Sequence, residues 1–253
     1  MSQLNESPII TVERRKAVTI IISAVIVSLA IGIGLMKVGT GFASRSSDGI
    51  TVTGSAKTTA VADNAVWTLS VNLSSATVSA AIKKVDSDVA ALSKYLNAGG
   101  IPTDALTLGA VSTYANEEYV NGNATGRILS YRASRDVTVR TKDVQLVSKL
   151  SQGIGSLLET GINVNNYGPQ YYISNLPELR PALMSDAMKD AKVRAEALTK
   201  AVSSELGALV NVKAGPIQIT TPDSTMTADY GAYDTSTIEK TVTATVSVTF
   251  KTK

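Results

Sequence analysis

Arg135 breaks an otherwise apolar strand face. In "YRASRDVTVR" (131–140), Tyr131, Ala133, Val137 and Val139 alternate on one side and Arg135 sits among them. A cation drawn into an apolar face needs a partner, because leaving it unpaired costs several kcal/mol. Arg135 could bind an anion, pair with an acid such as Glu159 or Asp190, or sit at a subunit interface, and the structural readings fit best. Asp63 and Asn64 precede a strand and could ligate a cation, although Asx residues there ordinarily shape turns. The polar stretch 221–237 carries Asp223, Asp229 and Asp234 together with Tyr230 and Tyr233. Its acids lack the alternate-ligand spacing and central glycine of an EF-hand. Tyrosines in such a loop suit protein contacts. Asn123-Ala124-Thr125 matches the glycosylation sequon, a pattern with a high false-positive rate.

The chain has no cysteine and no histidine. Ser-His-Asp and Cys-His mechanisms, zinc sites built on those residues and histidine proton shuttles are thereby excluded. No Walker loop or dinucleotide fingerprint occurs. The expectation is a non-enzyme without cofactor or resident metal. Of 24 Lys and Arg, five fall within residues 1–48, and of 21 Asp and Glu, three; the remaining 19 bases and 18 acids nearly cancel. A body so close to neutral lacks the basic footprint of a nucleic-acid binder.

Residues 17–36, "AVTIIISAVIVSLAIGIGLM", carry no charge. Twenty residues of helix span about 30 Å, the thickness of a bilayer's hydrocarbon core, and exceed the apolar run of a secretory signal. Cleavage after Ala43 remains the alternative. "RRK" at 14–16 favours an inside N-terminus, which puts the rest outside a cytoplasmic (inner) membrane, in the periplasm or its equivalent. The division is a cytoplasmic tail (1–16), a single transmembrane helix (17–36) contacting lipid, a Gly/Ser-rich linker (37–49) and an outer domain (50–253). Ala24, Ser28 and Gly32 recur every four residues, a spacing that permits close helix approach but is common in any span.

The elements that must position the candidate residues follow from periodicity. Strands are expected at 50–56 and at 67–73, where Trp67, Leu69, Val71 and Leu73 face inward. An amphipathic helix follows on Val78, Ile82, Val85, Val89, Leu92 and Leu96, closed by Gly99, Gly100 and Pro102. Strands near 105–114 and 128–141 flank "NEEYVNGNATG", whose Asn-Gly signals a hairpin turn or a longer protruding loop. A helix over 143–159 ends at Gly161, and a strand follows near 162–173. A long helix from about 180 to 206, opened by "PELRP" and closed by Gly207, buries Ala187, Ala191 and Ala195, with Leu183, Leu198 and Val202 locking its ends. The last strand turns Val242, Ala244, Val246, Val248 and Phe250 inward. This order implies α+β, with antiparallel or mixed sheets and helices packed on one side.

"YYISNLPELRPALMSDAMKDAKVRAEALTKAV" and the following "LGALVNVKAGPIQI" resemble the C-terminal half of SIMPL-domain proteins, notably a bacterial subgroup with an N-terminal anchor. "ITVTGSAKTTAVADNAVW", "YRASRDVTVRTKDVQLVSKL" and "EKTVTATVSVTF" are similar to the family's opening, middle and closing segments, so the resemblance covers about residues 49–250. It implies an envelope location, a loose link to oxidative-stress tolerance, no established catalytic residue, and a tendency to form large hollow homo-oligomers. The combined expectation is an anchored envelope protein that self-assembles into a ring or cage. The alternative is a monomeric or weakly associating binding module for a small ligand or partner protein.

Overall fold

Two antiparallel sheets, each with its own helices, account for the outer domain. The computed structural model describes residues 18, 21–35, 49–225 and 230–253. A helical segment α1 (21–35) precedes β1 (Gly49–Val61), β2 (Asn64–Ser75) and α2 (Val78–Ala98). Next come β3 (Leu106–Leu108), β4 (Ser112–Val120), β5 (Asn123–Thr141), α3 (Val144–Gly153), α4 (Gly155–Leu158) and β6 (Val164–Tyr172). α5 (Leu176–Ala201), β7 (Leu206–Ala214), β8 (Gln218–Thr220) and β9 (Glu239–Thr252) complete the chain. The α+β expectation holds, with every strand pair antiparallel.

The first sheet places β9 between β1 and, on its other edge, β7 and β8 end to end. The strict alternation of β9 decides its orientation. Val242, Ala244, Val246, Val248 and Phe250 are buried beneath α5, and the hydroxyl residues between them face away. Ala187, Ala191 and Ala195 are fully buried over β1, directly above Gly54. A Cβ on Gly54 would overlap the Ala187 carbonyl oxygen and the Ala191 nitrogen and sit 2.7 Å from the Ala191 Cβ. Small residues on both sides let helix and strand backbones nearly touch.

The second sheet runs β5–β2–β6, with β3 and β4 sharing the outer edge of β5. Trp67, Leu69 and Val71 face α2, whose Val85, Leu92 and Leu96 are fully buried. Thr77 caps α2 by accepting from the Ala80 N–H at 3.2 Å, and Gly100 turns the chain out at φ 105°.

Several expectations are corrected. The stripe on α5 runs Leu183, Ala187, Ala191, Ala195, Thr199, all five buried, while Leu198 and Val202 are 51% and 73% exposed and lock nothing. Steps of four keep one face; Leu198 and Val202 fall off it, and Thr199 is accepted because its hydroxyl bonds the Ala195 carbonyl at 3.0 Å. α5 stops at Ala201, with Ser203 left-handed at φ 58°, and Gly207 lies within β7. The helix expected over 143–159 is broken near Ile154 into α3 and α4. Of the two readings of 115–125 the hairpin holds and needs no correction: Asn121 (φ 52°) and Gly122 (φ 83°) form the two-residue turn joining β4 to β5. The helices do not share one side of one sheet, since each sheet has its own.

Among the described residues no helix is long and apolar enough to cross a membrane. The expected span 17–36 is described at residue 18 and over 21–35, all helical and exposed; its remaining positions, the tail and the linker up to residue 48 lie outside the described residues.

Candidate functional site

The seam between the two sheets gathers two of the sequence candidates. Asp63 lies in the tight turn from β1 to β2, so one short turn passes from the first sheet to the second. Its carboxylate accepts from the Ser174 N–H at 2.8 Å and from the Ser174 hydroxyl. Next along the chain, the Ile173 N–H donates to the Tyr233 hydroxyl at 3.1 Å, and the Tyr233 ring lies 5.9 Å from that of Tyr172. The Tyr171 N–H donates to the Thr235 carbonyl and the Ala62 N–H to the Ile238 carbonyl, both at 2.8 Å. The turn thus joins the β6–α5 connection and the end of the 221–237 loop in one hydrogen-bonded stitch. The Ser174 hydroxyl bond, helped by the Ser174 N–H and the Lys142 charge, holds the Asp63 carboxyl below its usual range against a burial effect that opposes it. Asp63 is a turn-former here, and its oxygens are taken up by Ser174.

A residue that pattern reading passed over locks this seam. Lys240 lies on the inward side of β9 and is 1% exposed. Its ammonium donates to the Asp234 carbonyl at 2.7 Å and to the Asp234 carboxylate at 3.3 Å. Burial would raise the Asp234 carboxyl, but hydrogen bonds from Ser236, Thr237 and Lys240 outweigh it and keep the group low. The signal was present in the sequence: Lys240 has the parity of Val242 and Ala244, and a lysine in an inward register demands an acid nearby.

Arg135 finds neither expected acid. Its Nε donates to the Gly109 carbonyl at 2.9 Å and its NH1 pairs with Asp86 on α2 at 3.0 Å. β3 and β4 leave a gap opposite this residue, and Arg135 fills it by tying the intervening connector to the helix. Helical spacing turns Asp86 toward the sheet edge, a placement that only the packing of α2 fixes. Asp190 instead accepts from the Ser55 N–H and from Arg194, both at 2.8 Å; the Ser55 bond is the main reason its carboxyl lies low. Tyr230 is 99% exposed and Tyr233 is half-used in the seam. Among the described residues no group of three acids gathers to hold a metal ion.

Two surfaces remain open. The first is the outer face of the β1–β9 sheet, where the 220–225 segment folds back to leave a cleft of about 330 Å³ lined by hydroxyl residues, Gln218 and Lys57. The second is the β4–β5 hairpin, on which Tyr119, Val120, Ile128 and Leu129 are exposed. Ala24, Ser28 and Gly32 share one face of α1 with Ile21, Val25 and Leu29, and nothing lies within 4 Å of the place a Gly32 side chain would occupy.

No curated protein matches the chain. Its two-sheet α+β domain, opened by β1 and closed by β9, coincides with a family match over residues 50–250, and the chain therefore belongs to the SIMPL family, proteins of unknown function (DUF541).

Proposed function

We propose that this protein is a non-catalytic envelope component, held at the outer face of a cytoplasmic membrane by its N-terminal helix and self-assembled through its SIMPL domain into a homo-oligomeric ring or cage. The β4–β5 hairpin carries the reading. From Asn121 to Leu129 every residue is exposed, Tyr119, Ile128 and Leu129 are 66%, 45% and 55% accessible, and the far edge of β4 pairs with no strand among the described residues. A two-stranded ribbon with a wet apolar surface is marginal in water, and an open strand edge recruits another chain. A second copy laid against it would cover both.

The uncharged run 17–36, the basic residues before it and the exposed apolar surface of α1 support the anchor, with lipid as its surroundings. Any contribution to oxidative-stress tolerance would be exerted through the assembly rather than a thiol, since the chain has no cysteine. The near-neutral outer domain supports protein partners over nucleic acid. A second reading, an envelope binding module that is monomeric or weakly associating, is favoured by the hydroxyl-lined cleft.

The test is the mass of the full chain in detergent by light scattering. A discrete multiple of 26.4 kDa that falls apart in the Tyr119→Ser, Ile128→Ser double variant is expected. A wild-type monomer overturns the assembly reading.

A further inference from the structure

We propose that the cleft on the outer face of the β1–β9 sheet binds a small anionic polyol, a sugar acid being the simplest member of that class. This goes beyond assembly and does not depend on it.

The strand register builds the floor. Lys57 lies opposite Thr243, and Thr59 opposite Thr241, while Thr245 follows on β9. These side chains stand on a grid of about 4.8 Å between strands and about 6.8 Å along them, matched to a ring carrying hydroxyls at both ends. The wall is made by Gln218, Thr220, Pro222, Ser224 and Thr225, and the cleft's volume of about 330 Å³ is at the small end of ligand pockets.

On the floor of the cleft Thr241 bonds the Pro222 carbonyl at 3.5 Å, whereas its neighbours are left open. The hydroxyls of Thr59, Thr243 and Thr245 make no hydrogen bond among the described residues, although Thr243 and Thr245 are half-buried. At the far end of the same face the equivalent groups are satisfied, Thr51 and Thr249 bonding each other at 2.9 Å. Gly215 lies beside the Thr245 hydroxyl, where any larger residue's Cβ would collide with it. A row of unpaired hydroxyls offers donors and acceptors together, the complement of a polyol. Lys57 sets the charge. It is exposed, makes no ion pair among the described residues, and is the one charged side chain among the described residues that line the cleft; Asp223 falls within the wall stretch without lining it.

Equilibrium dialysis of the full chain in detergent against radiolabelled glucuronate, with glucose as the neutral control, tests the assignment. Saturable binding of one glucuronate per chain is expected, at least about tenfold tighter than glucose. Lys57→Met should abolish that preference, and Thr243→Val should weaken both ligands by about tenfold. Thr249→Val, on the same face but outside the cleft, should change neither. Absence of saturable binding up to about 10 mM overturns the proposal, as does a Lys57→Met protein that retains the preference. Lys57 is an exposed surface position, so its variant folds independently of the result at Thr243. Because every variant can also be weighed by light scattering, failure of ligand binding and failure of assembly are read separately.

Discussion

The two halves of the domain solve the same packing problem in opposite ways. Over the second sheet, α2 meets Trp67, Leu69 and Val71 with its own Val85, Leu92 and Leu96, so large side chains fill a wide space. Over the first, α5 presents Ala187, Ala191 and Ala195 to Gly54 and the valines of β9, so there is almost no space to fill. One interface is sensitive to loss of volume and the other to gain of volume. The seam joining them depends on polar bonds, above all those of Lys240 and Asp234.

The largest expected effect lies at that seam. Asp234→Ala leaves a fully buried ammonium with only a carbonyl for company, a loss of about 3–5 kcal/mol. Adding Lys240→Met should restore most of the stability in urea unfolding; a double variant no better than the single one would remove the ion pair from the account. Next, Leu92→Ala should cost about 3 kcal/mol through the cavity it opens between α2 and the second sheet. Gly54→Ala should cost about 2 kcal/mol for the opposite reason, since its methyl would meet the α5 backbone and the Ala191 Cβ, neither of which can swing aside. The comparison breaks if Gly54→Ala is neutral.

The acid limb gives a third handle. Asp63, Asp190 and Asp234 are each held below the ordinary carboxylate range in the folded chain. A depressed folded value means stability that is fully present above the unfolded value of about 4 and is lost as pH falls through the folded value. Thermal midpoints should therefore be level from neutrality down to about pH 4 and drop below it, with a shallower drop in Asp63→Asn. The smallest effects belong to Leu198→Ala and Val202→Ala, each within about 0.5 kcal/mol of wild type, because both side chains stand in water. A loss comparable to that of Leu92→Ala would restore them to the core.

Pattern alone located the elements whose faces are strictly periodic: β2, α2, the alanine stripe and β9. Burial on one side imposes a period of 2 or 3.6, and that period survives in the residue types. The ends of α5 were not legible, because leaving the helix at Ser203 rather than Gly207 depends on β7 pairing with β9 and claiming Gly207 as a strand residue. The same holds for the partner of Arg135: Asp86 was one of many acids in the sequence, and only the seating of α2 beside the β3–β4 gap selected it.

By itself, then, the sequence determined the α+β class, the inward and outward faces of its longest strands, the Asn-Gly hairpin and the family. Each of these is a local property, written in spacing a few residues long. Tertiary structure decided that there are two sheets rather than one, that Asp63 and Tyr233 meet at adjacent residues of one connection, that Lys240 is buried, and that Lys57 and a row of threonines share a cleft. Most of those facts depend on segments far apart in the chain being brought together, Asp63 with Ser174 across 111 residues and Lys57 opposite Thr243 on paired strands, and no local spacing encodes contacts of that kind.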